Sequence, residues 1–112
     1  MTSLSVSSIN TTYVNSSGHS CSKYKIGQLV FLAFNISTKS TSIPAGTKLL
    51  TINNTGILNP NDGIFVAGHG WNHAVKINLS RNSSNTSNTD LTLAETYNDS
   101  SLRGFVTIYV SG

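Results

Sequence analysis

Hydrophobic residues along this chain alternate with polar ones in short runs, each cut off by glycine, proline or asparagine. Nowhere do they recur at the three-to-four residue spacing of an amphipathic helix. The densest run, Leu29 to Ile36, is apolar at nearly every position and predicts a strand covered on both faces. The terminal run Gly104 to Val110 sets Phe105, Thr107 and Tyr109 against Val106, Ile108 and Val110, so neither of its faces is polar. Ala74 to Leu79 alternates cleanly, with Val75, Ile77 and Leu79 on the core side, and Leu91 and Leu93 share a face in Leu91 to Ala94. Cys21 to Ile26, Lys48 to Ile52 and Ile64 to Ala67 read as further short strands.

Turn chemistry separates them. Lys25-Ile26-Gly27-Gln28 predicts a tight hairpin, because Gly27 supplies the positive φ such a turn requires. Ile43-Pro44-Ala45-Gly46-Thr47 predicts a second turn, and Asn53 to Gly63 holds two more signals that bracket Ile57 and Leu58. Tyr97 to Ser101 reads as another turn, and Ser80 to Asp90 as a long polar loop. Ser3 to Ile9 alternates weakly, so residues 1–18 are either a linker or a first edge strand, and residues 19–112 form one domain. Short strands joined in this way predict an all-β fold, an antiparallel β-sandwich of the jelly-roll type.

A single strand of a small sandwich normally shows one face to water. Two strands apolar on both sides therefore call for a second cover, and a neighbouring subunit is the expected one, which makes the chain a homo-oligomer.

Composition narrows the function. Only 10% of the residues are charged, and Ser, Thr and Asn supply roughly two residues in five, so the surface is polar but largely neutral. The net charge of +3 arises from a scarcity of acids, and the seven basic residues are scattered, which argues against nucleic-acid binding. The one cysteine, Cys21, excludes an internal disulfide and is expected to pack inside a strand. The N-terminal residues lack the basic and apolar regions of a secretory signal, and no apolar run reaches the ~20 residues of a membrane span. The abrupt polar start suggests a piece of a longer protein. Asn-x-Ser/Thr triplets, among them Asn35, are expected by chance at this composition, and Asn35 is placed inside a buried strand.

The order Cys21-Ser22-Lys23-Tyr24-Lys25-Ile26-Gly27-Gln28-Leu29-Val30, then Ile43-Pro44-Ala45-Gly46-Thr47, then Leu58-Asn59-Pro60, then the apolar strand Gly104 to Val110, resembles the carboxy-terminal domain of phage tail and baseplate proteins from Gram-positive hosts. The likeness covers the chain from about Ser20 onward and rests on order and spacing. It implies a receptor-binding head: a β-sandwich, usually a trimer, located on the virion tail, contacting other tail or baseplate proteins and attaching to host cell-wall saccharide. The Ser80 to Asp90 loop and the histidine-rich loop depart from the family pattern and leave the ligand and its pocket open.

Gly68-His69-Gly70-Trp71-Asn72-His73 is the most unusual loop. Trp71, the sole tryptophan, can stack on the apolar face of a sugar, with His69, Asn72 and His73 supplying hydroxyl partners. The alternative, and the commoner fate of tryptophan, is that Trp71 packs down as a lid on the sandwich. His69 and His73, with His19 as a third ligand, have the makings of a zinc site only on paper, since the loop fixes no geometry, and no metal or other cofactor is expected. Glycoside hydrolysis needs two facing carboxylates. Of the four acids, Asp62, Asp90 and Asp99 read as turn or loop residues, and Glu95 lacks a convincing partner. No catalytic residue is assigned and the chain is not expected to be an enzyme. Besides host-saccharide adhesion, two rivals stand: a trimerising cap that stabilises a fibre without a ligand, and a secreted bacterial adhesin or carbohydrate-binding module.

Overall fold

A computed structural model describes residues 1–56, 64–71 and 73–109 of the chain. Those residues form nine strands and no helix: β1 (Thr2–Leu4), β2 (Val6–Ser7), β3 (Ser20–Ile26), β4 (Leu29–Ser37), β5 (Lys48–Ile52), β6 (Ile64–His69), β7 (Ala74–Arg81), β8 (Thr89–Leu93) and β9 (Ser101–Tyr109). All pair antiparallel in one sheet, ordered β1-β3-β4-β9-β6-β7-β8-β5-β2. The first and last members of that order are neighbours in sequence, parted only by Ser5. The N-terminal segment thus lies along β3 with one end and along β5 with the other, and the sheet folds over into a nearly closed, sandwich-like barrel. Asn53 fastens the crossing, its N–H donating to Ser5 O at 2.9 Å and its Oδ1 accepting from Ser7 Oγ at 2.9 Å.

The sheet turns its corner between β9 and β6, where pairing shrinks to Gly68↔Gly104 and His69↔Arg103. Both glycines point inward where no side chain fits. A Cβ on Gly104 would lie 2.3 Å from the Phe34 ring, and one on Gly68 would lie 2.3 Å from Ile77 Cδ1. At the β3–β4 hairpin Gly27 takes φ +58° while Gln28 stays at negative φ, the pattern of a two-residue type II′ turn, as the sequence predicts.

The core is built from the inward positions of every long strand. Val30, Leu32, Phe34 and Ile36 of β4 face Val75, Ile77 and Leu79 of β7 and Leu91 and Leu93 of β8, all buried. Each such side chain contributes about 1.5–3 kcal/mol by leaving water. In β5 a bulge between Lys48 and Leu50 breaks the alternation, so Leu49 and Leu50 are buried in succession. Cys21 packs inside β3, as expected, and burial pushes its thiol up to about 11, which leaves it protonated and unreactive.

Several boundaries move. Ser80, Arg81, Thr89 and Asp90 are strand residues, and the long polar loop shortens to residues 82–88. Asn82 orders it, its Oδ1 accepting from the N–H groups of Ser84 and Asn85 at 3.0 Å. Asp90 is no turn residue. It accepts from Thr51 Oγ1 (2.8 Å) and Asn82 Nδ2 (2.9 Å) and pairs with Lys48 at 3.3 Å. Tyr97, read as a turn residue, is a buried plug joined to Ile43 by two backbone hydrogen bonds. The turn signals beyond Gly56, with Leu58-Asn59-Pro60 and Asp62, lie outside the described residues, as do Asn72 and Val110.

The largest departure concerns the doubly apolar strands. Within the chain only one face of β4 is covered. Leu29, Ala33 and Asn35 on the other face are exposed, and Phe31 is half-buried. Across from them stand Tyr24 and Ile26 of β3 and Phe105 of β9, which is 63% exposed. Asn35 therefore faces outward, not into a core.

Candidate functional site

The β6–β7 hairpin carries the site. Its loop closes by a hydrogen bond from Gly70 N–H to His73 O at 2.9 Å, and it leans on the segment between β8 and β9. Gly70 makes that lean feasible: a Cβ there would sit 2.0 Å from Tyr97 Oη and 2.5 Å from Asp99 Oδ2. Asp99 is the clamp. Its Oδ2 accepts the Trp71 N–H at 2.7 Å, its Oδ1 accepts the Ser100 N–H at 2.7 Å, and His73 Nδ1 stands 3.8 Å from Oδ2. The carboxylate side chain is only 11% exposed, so these contacts are made largely out of water, where charge-assisted hydrogen bonds are strong. Asp99 is itself held from behind, since its backbone carbonyl accepts Thr38 Oγ1 at 2.5 Å.

Tyr97 forms the floor beneath the clamp. Its hydroxyl donates to Ser101 O, and the His73 ring meets its ring edge-on at 6.5 Å between centroids. Burial, and then the neighbouring Asp99 charge, push the phenol up to about 12 against the opposing pull of Arg103. It is a neutral donor throughout the physiological range.

Held in this way, the Trp71 backbone is fixed while its ring stands 68% exposed. The lid alternative is thereby overturned. At the nearby sheet corner the interior is filled, with Ile77 and Leu102 close against Gly68 and Phe34 against Gly104. The indole rests instead against Arg103 of β9, whose guanidinium carbon lies 4.8 Å from the ring centroid. Arg103 pairs with His69 across the corner, and its Nε is buried without a hydrogen-bond partner.

Of the residues singled out from sequence, Trp71, His69 and His73 are brought together at one hairpin tip, all exposed. His69 has only a long 3.4 Å contact from Nδ1 to Gly70 O and is not fixed in orientation. Asn72 lies outside the described residues. His19 does not join the group as a ligand. Its Nδ1 accepts the Ser37 N–H at 3.1 Å and its Nε2 donates to Asn15 O at 2.7 Å, so both ring nitrogens serve the backbone.

Further down the same hairpin, the outward side of β6 and β7 forms an open groove of about 410 Å³ lined by Phe65, Ala67, Ala74, Lys76 and Glu95 together with Val66 and Val75. Lys76 Nζ lies 4.4 Å from the Phe65 ring centroid, and Glu95 Oε1 accepts the Lys76 N–H at 2.7 Å.

Asp99, Arg103, Tyr97 and Phe65 were not legible as site residues. Only Phe65 left a trace, since the alternation of Ile64 to Ala67 places it opposite Ile64 and Val66 and hence away from the core. No protein-family model and no curated protein sequence matches the chain.

Proposed function

We propose that this chain is an adhesion domain that holds a surface saccharide at the tip of the β6–β7 hairpin, without a cofactor. In the setting implied by its resemblance, that is the head of a phage tail or baseplate protein attaching to the cell-wall saccharide of its host. The observation that carries the reading is the presentation of Trp71. A large aromatic ring stands in solvent on a hairpin whose backbone is pinned by a nearly buried carboxylate, so little conformational entropy remains to be lost on binding. A pyranose offers a C–H face for the open side of the ring and a rim of hydroxyls, for which His69 and His73 hold both donor and acceptor nitrogens. The largely uncharged surface suits a ligand recognised by stacking and hydrogen bonding.

The test compares the intact domain with Trp71→Ala on an array of glycans and on Gram-positive cell walls. Retention of the intact domain and loss in the variant support the reading, and equal retention of both, or of neither, contradicts it.

A second reading, a trimerising cap, has its own support. Tyr24, Ile26, Leu29 and Phe105 leave one face of β3, β4 and β9 apolar and exposed, and such faces gain by pairing with copies of themselves. Phe105 lies two residues along β9 from Arg103, against which Trp71 rests, so the two surfaces adjoin. A monomer at micromolar concentration by light scattering would remove the cap reading.

A further inference from the structure

The groove on the outward side of β6 and β7 lies on the hairpin that carries Trp71 and reaches Ala74, the partner of His69. Phe65, Ala67 and His69 alternate onto one face of β6, and His69 stands in register with Arg103, against which the Trp71 ring rests. Four residue steps along the strand take Phe65 to His69, about 13 Å at the usual rise per residue. That length exceeds a disaccharide. The groove's floor is made of methyl groups, Ala67 beside Lys76 and Ala74 beside His69, and past Ala74 the same face continues through His69 to Arg103 and the Trp71 ring.

The two rings are set alike. Phe65 is 60% exposed with the Lys76 ammonium over its ring at 4.4 Å, and Trp71 is 68% exposed with the Arg103 guanidinium over its ring at 4.8 Å. Glu95 marks the groove's edge beside Lys76, giving that rim an acceptor and a donor over an apolar floor. A volume of about 410 Å³ falls within the range of small-molecule sites but is open at the top, as a linear ligand requires.

We infer that the hairpin binds a linear polysaccharide lengthwise, with Phe65 as a distal stacking platform and Trp71 as the proximal one, in place of a single terminal sugar. This rests on the saccharide reading above and deepens it. A terminal sugar would need only the Trp71 tip, and the Phe65 groove would then be without a role in binding.

The experiment uses the cell-wall polysaccharide that the intact domain retains, partially hydrolysed and fractionated by length from dimer to octamer, with affinity measured by calorimetry. The inference expects affinity to rise by about tenfold between dimer and hexamer and then level off. Phe65→Ala should bring the hexamer-to-dimer ratio close to one, and Ala67→Leu, which fills the groove while leaving both rings, should do the same. Circular dichroism shows whether each variant is folded. Equal affinity at all lengths in the intact domain, or a length gain that survives both substitutions, overturns the inference while Trp71-dependent binding of short fragments leaves the saccharide reading in place. Failure of every fragment and of the parent polysaccharide to bind overturns both.

Discussion

The two faces of β4 carry similar side chains and meet different surroundings. Val30, Leu32, Phe34 and Ile36 are buried in the barrel, whereas Leu29 on the reverse is 41% exposed and continues through Tyr24, Ile26 and Phe105 into an uncovered apolar surface. The difference arises from the pleat, which assigns alternate residues to opposite sides, and from closure, which gives one side a partner layer and the other none. An apolar run thus reports that a surface would gain from cover, without reporting whether the same chain provides it. The outward side is also where the ring-and-cation pairs of Trp71 and Phe65 sit, so one face holds the fold together and the other stays open.

Substitutions on the two sides should separate most widely in stability. Leu32→Ala should cost about 2–5 kcal/mol in a urea melt, because it leaves a cavity in a filled core. Phe105→Ser, on the outward face, should shift stability by no more than about 0.5 kcal/mol in dilute solution. A loss at Phe105 as large as at Leu32 would mean that the outward face is covered in solution, and that loss would then shrink with dilution if copies supply the cover.

Next in size is the clamp. Asp99→Ala leaves the Trp71 and Ser100 N–H groups without their acceptor and should cost about 1–3 kcal/mol. It should also abolish saccharide retention, although Asp99 itself does not face the ligand. Asp99→Asn keeps one carbonyl acceptor and should fall between the two. Stability lost with binding unchanged would show that the hairpin needs no pinning.

The smallest effect lies at Asp90, on the outward side of β8. Burial alone would raise the Asp90 carboxyl, but hydrogen bonds from Asn82 and Thr51 and the Lys48 ammonium outweigh it and hold it below its ordinary value. Because folding lowers this pKa, the ionised form stabilises the protein above the unfolded carboxyl's value of about 3.9, and that contribution is lost as pH falls through the lowered one. Melting temperature should therefore decline in this acid window, and more shallowly in Asp90→Asn. Identical profiles would show that this cluster adds nothing to stability.

The strands, the Gly27 turn and the inward residues of β7 and β8 were legible because each depends on local pattern: alternation, or a glycine where φ must be positive. What depends on distant pairing was not. Nothing in Ser3 to Ile9 announces that Leu4 will pair with Cys21 and Val6 with Ile52, closing the barrel from both margins. The loop Gly68 to His73 was recognisable by its unusual chemistry, yet its geometry is set by Asp99 and Arg103, about thirty residues away and drawn in by the β9–β6 corner. Trp71 shows the limit most clearly. Its sequence neighbours allow a lid or a platform, and the ring stands outside on a backbone held by Asp99 and against Arg103, both distant in sequence.

Trp71, as the single tryptophan, reports on the site directly. Its emission should resemble that of an indole in water in the free domain and should shift to shorter wavelength, saturably, as soluble cell-wall polysaccharide is added. Emission already typical of a buried indole in the free domain, or unchanged by polysaccharide at millimolar repeat concentration, would contradict the account.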